Sequence, residues 1–139
     1  MTLYQSFRKY LRRNNITEEQ GSQEGTSIFF KNNNLFFVFL YDSESPNYFR
    51  MLLPYIANFE HIDAAELCKH ALEISAEYKV AKLVVIENQI WASFEQIILE
   101  PDADNSEIYN MGIGILQACC HRISSFVNSH RQNGQMETT

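Results

Sequence analysis

The sequence has no excess of basic residues. It contains 11 Lys and Arg against 17 Asp and Glu, which gives a net charge of -6 and a pI of about 5.1. A general nucleic-acid binder needs a basic surface that displaces counterions from phosphates, and anionic membrane surfaces attract polybasic segments. The composition therefore predicts neither a nucleic-acid partner nor a membrane partner.

Long apolar runs and a cysteine framework are also missing. The runs "LFFVFLY" and "MLLPYIANF" are far shorter than the roughly 20 residues with which a helix spans a bilayer. There are 3 cysteines, and the adjacent pair Cys119 and Cys120 would point in different directions on a helix. An odd number of cysteines without a framework is typical of free thiols, so we predict a reducing compartment and a cytoplasmic protein.

The histidines and cysteines have the wrong spacing for a metal site. Cys68 and His70 are two positions apart, and Cys119, Cys120 and His121 are consecutive. One or two steps along a helix turn side chains by about 100–200°, whereas zinc-binding pairs on a helix favour an i, i+4 spacing. We therefore interpret these residues as buried thiols and solvated imidazoles, and we predict no metal.

Motifs for catalysis and for cofactor binding are likewise missing. The sequence has no Gly-x-Ser-x-Gly elbow that would supply a nucleophile. His61 and Asp63 have the spacing of a base and its orienting carboxylate, but Asp63 is better explained as the N-cap of the next helix. Gly112-x-Gly114 lacks the third glycine of a dinucleotide loop and lies in a predicted helix, where it is expected to allow close packing. We predict no catalytic residues and no cofactor.

The apolar content of the chain is that of a packed domain. Of the 139 residues, 45% are hydrophobic and 13% are aromatic, which favours one globular domain over a disordered chain. We place a single α+β domain at residues 1–130. The polar segment at residues 131–139 is expected to be a flexible C-terminal tail.

Capping and turn signals divide the domain into eight elements. Thr2-x-x-Gln5 starts the first helix, and three asparagines at 32–34 connect two aromatic strands as a hairpin. A third strand is expected from about Tyr48 to Phe59, and Asp63 caps the second helix. A second hairpin turns near Glu87-Asn88 before the last helix. The order α-β-β-β-α-β-β-α predicts an α+β fold with a curved, mostly antiparallel five-stranded sheet and three helices.

Two prolines flank the most apolar part of the third strand. Pro46 lies in "SESPN", a turn composition in which its fixed φ and missing N–H are tolerated. Pro54 lies inside the strand, which is acceptable at a sheet edge, at a bulge or where the strand bends. We expect a long strand that kinks near Pro54, with a position at the sheet edge as one explanation.

Helical periodicity selects the core-facing residues of the two later helices. The predicted core stripe of the second helix consists of Ala64, Leu67, Cys68, Ala71 and Leu72. His70 is expected to face water on the same helix. The predicted stripe of the last helix consists of Ile108, Met111, Ile115, Cys119 and Phe126.

The strands are apolar on both faces. In "LFFVFLY", Phe39 points one way and its neighbours Val38 and Leu40 point the other. An antiparallel sheet with one face in water normally alternates apolar and polar residues, so both faces here need cover. Either the three helices divide between the faces and the chain is a self-contained monomer, or one face requires a partner, for which we expect a homodimer.

The strand "IWASFEQ" combines an apolar face with a mixed one. The mixed face carries Trp91, Ser93 and Glu95, a combination typical of a polar groove or an interface rim. Arg50 on the third strand would pair with Glu95 if the register allows. Arg50, Trp91, Ser93 and Glu95 are therefore the candidate binding residues, and the alternative for Trp91 is a partly buried cover residue whose N–H is satisfied.

Several of these features occur together in a recognisable pattern. An aromatic strand ends in Asp42, Pro46 precedes "YFR", and "LP" follows at 53–54. A helix then ends near Tyr78-Lys79, followed by "VAKLVV" and by Trp91 ahead of Glu95. This pattern covers most of residues 27–127 and resembles the YbjN family, which has the fold of type III secretion chaperones. The resemblance implies a curved sheet with helices, a tendency to dimerise, and a role in binding protein segments or in regulation, and it supplies no enzymatic residues.

The sequence as a whole favours a non-enzymatic protein-binding or regulatory module that binds a protein segment as a homodimer. The expected modes of capture are strand addition at an exposed sheet edge and packing of a helix in an apolar groove. The alternatives that stay open are a purely self-associating structural protein and a small-molecule binder or enzyme whose site is not visible in the sequence.

Overall fold

The computed structural model describes residues 1–60, 62–78 and 80–137, with side chains described as far as His130. Within these ranges, three helices and five strands follow one another in the predicted order. The helices are α1 (Leu3–Arg13), α2 (Ala64–Glu77) and α3 (Ser106–Glu137), and the strands are β1 (Ser27–Asn32), β2 (Leu35–Tyr41), β3 (Tyr48–Asn58), β4 (Ala81–Ile86) and β5 (Gln89–Ile97).

The five strands form one antiparallel sheet in the order β1-β2-β3-β5-β4. Asn33 and Asn34, between β1 and β2, have φ values of 51° and 62°. This left-handed conformation is what a two-residue hairpin turn requires and what asparagine tolerates. Glu87, with a φ of 53°, lies in the turn between β4 and β5. The predicted α+β class, the element order, the five-stranded sheet and both hairpins are confirmed.

The hydrophobic core lies on one face of the sheet, which we call the inner face. Its strand residues are fully or almost fully buried and comprise Ile28, Phe30, Phe37, Phe39, Phe49, Met51, Leu53, Ile90, Ala92 and Phe94. Phe7 of α1 stacks on Phe39 with ring centroids 4.1 Å apart. Tyr109 of α3 meets the ring of Phe7 edge-on at 5.0 Å. Aromatic packing therefore joins α1 and α3 to the centre of the sheet.

The capping box predicted for α1 is present. The hydroxyl of Thr2 accepts a hydrogen bond from the Gln5 N–H at 3.2 Å, and the Gln5 side chain accepts one from the Thr2 N–H at 3.0 Å. Asp63 similarly accepts from the Glu66 N–H at 3.2 Å and is the N-cap of α2. These local patterns specify the start of each helix because they satisfy N–H groups that have no partner within the helix.

Pro54 marks a bulge in the middle of the sheet. The β3–β5 register runs from Leu53 opposite Ala92 to Ala57 opposite Ile90, so extra residues of β3 stand opposite a single residue of β5. Tyr55, inside this bulge, has a left-handed φ of 58°. The expected kink near Pro54 is confirmed. The edge position is wrong, since β3 lies between β2 and β5 and the proline is accommodated where the hydrogen-bond ladder is interrupted.

The buried stripe of α2 differs from the predicted one. Leu67, Ala71 and Ile74 are buried, whereas Leu72 is 71% exposed and Ala64 is also exposed. The helix is rotated so that these three buried residues face the sheet, and Leu72 therefore points toward water. His70, expected to be solvated, is half-buried and stacks on Phe126 of α3 with ring centroids 4.1 Å apart.

The core stripe of α3 is also shifted from the prediction. The buried residues are Tyr109, Gly112, Ile113, Leu116, Cys119 and Ile123. Met111, predicted to be in the core, is 45% exposed. The reason is Gly112: a Cβ there would lie 2.9 Å from the ring of Phe94, so the helix approaches the sheet through its glycine. The expectation that the glycines allow close packing is confirmed for Gly112, while a Cβ at Gly114 would meet nothing within 4 Å.

Helix α3 has 32 residues and its backbone is helical as far as Glu137. The flexibility predicted for 131–139 stays a prediction, because the side chains of 131–137 and all of 138–139 lie outside the described residues. None of the helices in the described part of the chain combines the length and the apolarity needed to cross a bilayer.

Candidate functional site

The three helices all pack on the inner face of the sheet. Phe7 of α1, Leu67 of α2 and Tyr109 of α3 belong to one buried core cluster together with the inner-face strand residues. The opposite side, which we call the outer face, is formed by Ser27, Phe29, Lys31, Phe36, Val38, Leu40, Tyr48, Arg50, Leu52, Lys82, Val84, Ile86, Gln89, Trp91, Ser93, Glu95 and Ile97. Of the two arrangements that the sequence left open, the chain adopts the one that leaves an apolar sheet face without helical cover.

The outer face is apolar across several neighbouring strands. The strand register places Phe29, Val38 and Leu52 side by side on β1, β2 and β3, so their side chains are direct cross-strand neighbours. All three are half-buried. Toward the ends of the strands, Phe36 is 45% exposed and Ile97 is 65% exposed. A contiguous patch of this kind on one sheet face is a feature of interaction surfaces.

The four candidate binding residues lie together at the centre of this face. Arg50 is directly opposite Glu95 in the β3–β5 register, and its Nε lies 3.3 Å from Oε1 of Glu95. The predicted pairing is therefore confirmed. Because the two side chains are 44% and 43% exposed, solvent screens the pair and it contributes little to stability. Its charges are accessible to a partner that lies on the outer face.

Trp91 and Ser93 carry buried polar atoms without a described partner. The ring of Tyr55 covers Trp91 edge-on at 4.8 Å, and the Nε1 of Trp91 has no hydrogen-bond acceptor among the described residues. Ser93 is 7% exposed, and its hydroxyl likewise has no partner there. The alternative reading of Trp91 as a partly buried cover residue is met in part, since the side chain is half-buried but its N–H has no acceptor among the described residues. Unpaired buried polar atoms are unusual in proteins, so these two are available to a water molecule or to a partner on the outer face.

The free edge of β1 is already paired. A segment that we call the strap, residues 18–26, runs beside it. The Glu19 N–H donates to the Phe29 carbonyl at 2.6 Å, and the Phe29 N–H donates to the hydroxyl of Ser22 at 2.9 Å. Strand addition at β1, one of the expected modes of capture, would therefore require displacement of the strap.

Arg8 of α1 holds the strap in place. Its guanidinium donates to Glu18 through Nε and to both carboxylate oxygens of Glu24 at 2.9 Å. A further N–H donates to the hydroxyl of Tyr4 at 2.9 Å. The side chain is 20% exposed, so these charge-assisted bonds are only partly screened by water, and the Glu18 carboxylate raises the pKa of Arg8. The sequence analysis did not predict this clamp, because the two carboxylates are 10 and 16 residues away from Arg8.

The other edge of the sheet, β4, is partly protected by α2. The Leu83 N–H points away from β5 and donates to the hydroxyl of Ser75 at 2.9 Å. The same hydroxyl donates to the carbonyl of Ala71 at 2.9 Å. A short strand with one outward N–H already satisfied is a poor template for strand addition. The outer face, rather than an edge, is therefore the surface that the fold leaves open.

Burial makes two of the three thiols, Cys119 and Cys120, poor nucleophiles. The structure leaves Cys68, Cys119 and Cys120 free. Burial raises the pKa of Cys119 to about 11 and also raises the pKa of Cys120, which disfavours the nucleophilic thiolate. Among the described residues, no group of three or more His, Cys, Asp or Glu side chains is placed to hold a metal ion. His61, considered as a base, lies outside the described residues.

The sequence did not predict a cluster that joins α2 to α3. Phe126 lies between the rings of His70 and His130, at 4.1 Å and 5.7 Å between centroids. The Nε2 of His130 is 3.0 Å from the carboxylate of Glu66, and Nδ1 of His70 is 3.6 Å from that of Glu73. These contacts explain why His70 is half-buried, and they connect the second helix to the C-terminal half of the third.

Comparison with known proteins adds information on the fold. No protein-family model matches the chain, and no curated protein matches it. Among solved structures, it is similar to an uncharacterised protein from Methanothermobacter thermautotrophicus, with a TM-score of 0.63 and 8% sequence identity. The match covers 91% of this chain and 97% of the other. At this identity the likeness shows a shared fold alone, so membership of the YbjN family stays a prediction.

Proposed function

We propose that the protein is a non-enzymatic protein-binding module that works through the outer face of its sheet. The observation that carries this proposal is the position of the helices: all three pack on the inner face, and Phe29, Val38 and Leu52 form an apolar row on the face they leave open. Burying a large apolar side chain contributes about 1.5–3 kcal/mol, so a partner that covered this row would be held by several such contributions.

The first partner is a second copy of the chain. The same face on two chains forms a two-fold contact, and two sheets that pack face to face make a sandwich about 10 Å thick. In such a dimer the apolar row would lie at the centre, and the half-exposed charges of Arg50 and Glu95 would lie beside it. A protein segment, as the resemblance to secretion chaperones implies, would then bind the part of the two outer faces that the contact leaves open. The three free thiols fit a reducing, cytoplasmic location.

Light scattering across a dilution series tests the dimer. We expect a two-chain mass for the unaltered protein and a mass of one chain for Leu52→Gln at concentrations where the unaltered protein is dimeric. The reason is that Leu52 is the member of the apolar row on β3, the central strand of the sheet, where the dimer would bury an amide without a partner at a cost of about 1–3 kcal/mol. A mass of one chain at every concentration for the unaltered protein would refute the outer-face dimer.

A matched control tests whether the loss of the dimer is specific to the outer face or follows from removing any exposed leucine. Leu72 on α2 is 71% exposed and does not belong to the outer face. Leu72→Gln should leave the two-chain mass unchanged, and circular dichroism should show both variants folded. Equal loss of the dimer in both variants would place the contact elsewhere.

Capture of protein segments is tested separately from self-association. A random peptide library is screened against the unaltered protein and against Trp91→Ala, which removes the largest side chain of the outer face. Peptides that bind the first and not the second would support a binding module. A stable dimer without such peptides would favour the alternative, a protein that associates only with itself.

A further inference from the structure

A cavity of about 550 Å³ opens at one end of the outer face. Its floor is formed by outer-face side chains, among them Phe29, Leu40 and Tyr48, and one wall is formed by the strap at residues 21–26. Sites for small molecules have volumes of about 300–1,000 Å³ and combine apolar walls with a few polar groups. This cavity has the size and the lining of such a site.

The strap wall is fixed in place before any ligand arrives. Gly21 has a φ of 104°, and a Cβ there would lie 2.7 Å from the ring of Phe29, so only glycine lets the strap lie on that ring. The hydroxyl of Ser22 accepts the Phe29 N–H, and the guanidinium of Arg8 holds Glu24. A preformed wall of this kind reduces the ordering that binding would otherwise require.

The polar groups of the cavity determine where the charged group of a ligand would bind. Arg50 lines the cavity on β3, opposite Leu40 on β2. Its ion pair with Glu95 engages Nε, and a guanidinium carries four further N–H donors in a planar fork that suits a carboxylate. Asp42 also lines the cavity, two residues beyond Leu40 and so about 7 Å along the strand. A carboxylate would therefore bind at Arg50, with the apolar part of the ligand over the floor.

We propose that this cavity binds a small aromatic carboxylate, with its ring on Phe29, Leu40 and Tyr48 and its carboxylate on the guanidinium of Arg50. The ligand carboxylate competes with Glu95 for Arg50, and the competition is possible because the exposed pair is weak. The walls all come from a single chain, so the site does not depend on the dimer or on the capture of a protein segment.

The test compares two ligands that differ only in charge. Indole-3-acetate and its neutral amide, indole-3-acetamide, are titrated into the full chain by isothermal calorimetry. We expect saturable one-to-one binding of the acid that is about fivefold tighter than that of the amide, the range for a half-exposed ion pair. Arg50→Gln should remove this difference. Glu95→Gln should tighten binding of the acid and leave the amide unchanged, while Tyr48→Ala should weaken both.

The titration is repeated on Leu52→Gln, so that a second copy lying over the cavity is distinguished from the lack of a site. Binding in that variant alone would support the site and show that the dimer covers it. Absence of saturable binding in both proteins would overturn the proposal. Equal affinity for acid and amide, or a preference for the acid that persists in Arg50→Gln, would overturn it as well.

Discussion

Neighbouring residues of β2 show how differently the two faces of one sheet are used. Phe39, on the inner face, is fully buried between the rings of Phe7 at 4.1 Å and Phe49 at 5.2 Å. Val38, one position earlier, points to the outer face and is half-buried with no helix over it. The sequence is apolar at both positions. The hydrophobic pattern therefore shows that both faces of the sheet need to be covered. It does not show which face the three helices cover, because that depends on how the helices pack in the folded chain.

The largest expected effect is a difference in stability between truncations on the two faces of the sheet. Phe39→Ala should destabilise the protein by about 3–5 kcal/mol, because it removes a ring that is enclosed on the inner face. Phe36→Ala, an equal truncation on the outer face at a 45% exposed ring, should cost about 1 kcal/mol or less. Denaturant unfolding at a concentration where the chain is monomeric measures both. Similar losses would mean that the outer face is as closed as the inner one.

A smaller effect tests how closely α3 approaches the inner face. Gly112→Ala would place a methyl group 2.9 Å from the enclosed ring of Phe94, and overpacking of this kind costs about 1–3 kcal/mol. Gly114→Ala, two positions on with nothing within 4 Å of its Cβ, should instead stabilise the helix by roughly 1 kcal/mol. Thermal unfolding of the two variants should therefore shift in opposite directions. A shift in the same direction would contradict the close approach at Gly112.

The smallest effect concerns the strap at the border between the faces. Arg8→Met removes the bonds to Glu18 and Glu24, and we expect a loss of about 1–2 kcal/mol, since the site is partly exposed to water. The amide of Phe29, bonded to Ser22 in the strap, should exchange with solvent faster. Arg12→Met, an exposed cation on the same helix, should change neither quantity. Hydrogen exchange measured by NMR distinguishes the two variants, and unchanged protection of Phe29 in Arg8→Met would argue against the clamp.

Local signals predicted most of the fold. The asparagines at 33 and 34 specified a hairpin because few other residues accept a left-handed φ, and Thr2 and Asp63 specified helix starts because their oxygens satisfy free N–H groups. Strand alternation correctly separated Phe39 from Val38. Each of these predictions depends on residues only a few positions apart.

Features that depend on distant residues could not be predicted in this way. The edge position of β3 was wrong because β5 inserts between β3 and β4, and nothing near Pro54 encodes that order. Leu72 and Ile74 are equally apolar, and only the contact of α2 with β4 and α3 decides that Ile74 is buried. For the candidate site, the pairing of Arg50 with Glu95 followed from the register, whereas the unpaired Trp91 N–H and the clamp of Arg8 arise from neighbours far away in sequence.

The covered edge of β1 and the partly protected edge of β4 disfavour growth of an assembly through strand edges. An open strand edge accepts another strand and then offers a new edge, so growth through edges has no natural end and leads to filaments. Here the strap occupies β1 and Ser75 takes the Leu83 N–H of β4. A face-to-face contact uses up the surface that forms it, because each copy has one outer face. In the dimer proposed above the stoichiometry would therefore be two, and a rise in protein concentration should increase the population of pairs without producing longer oligomers.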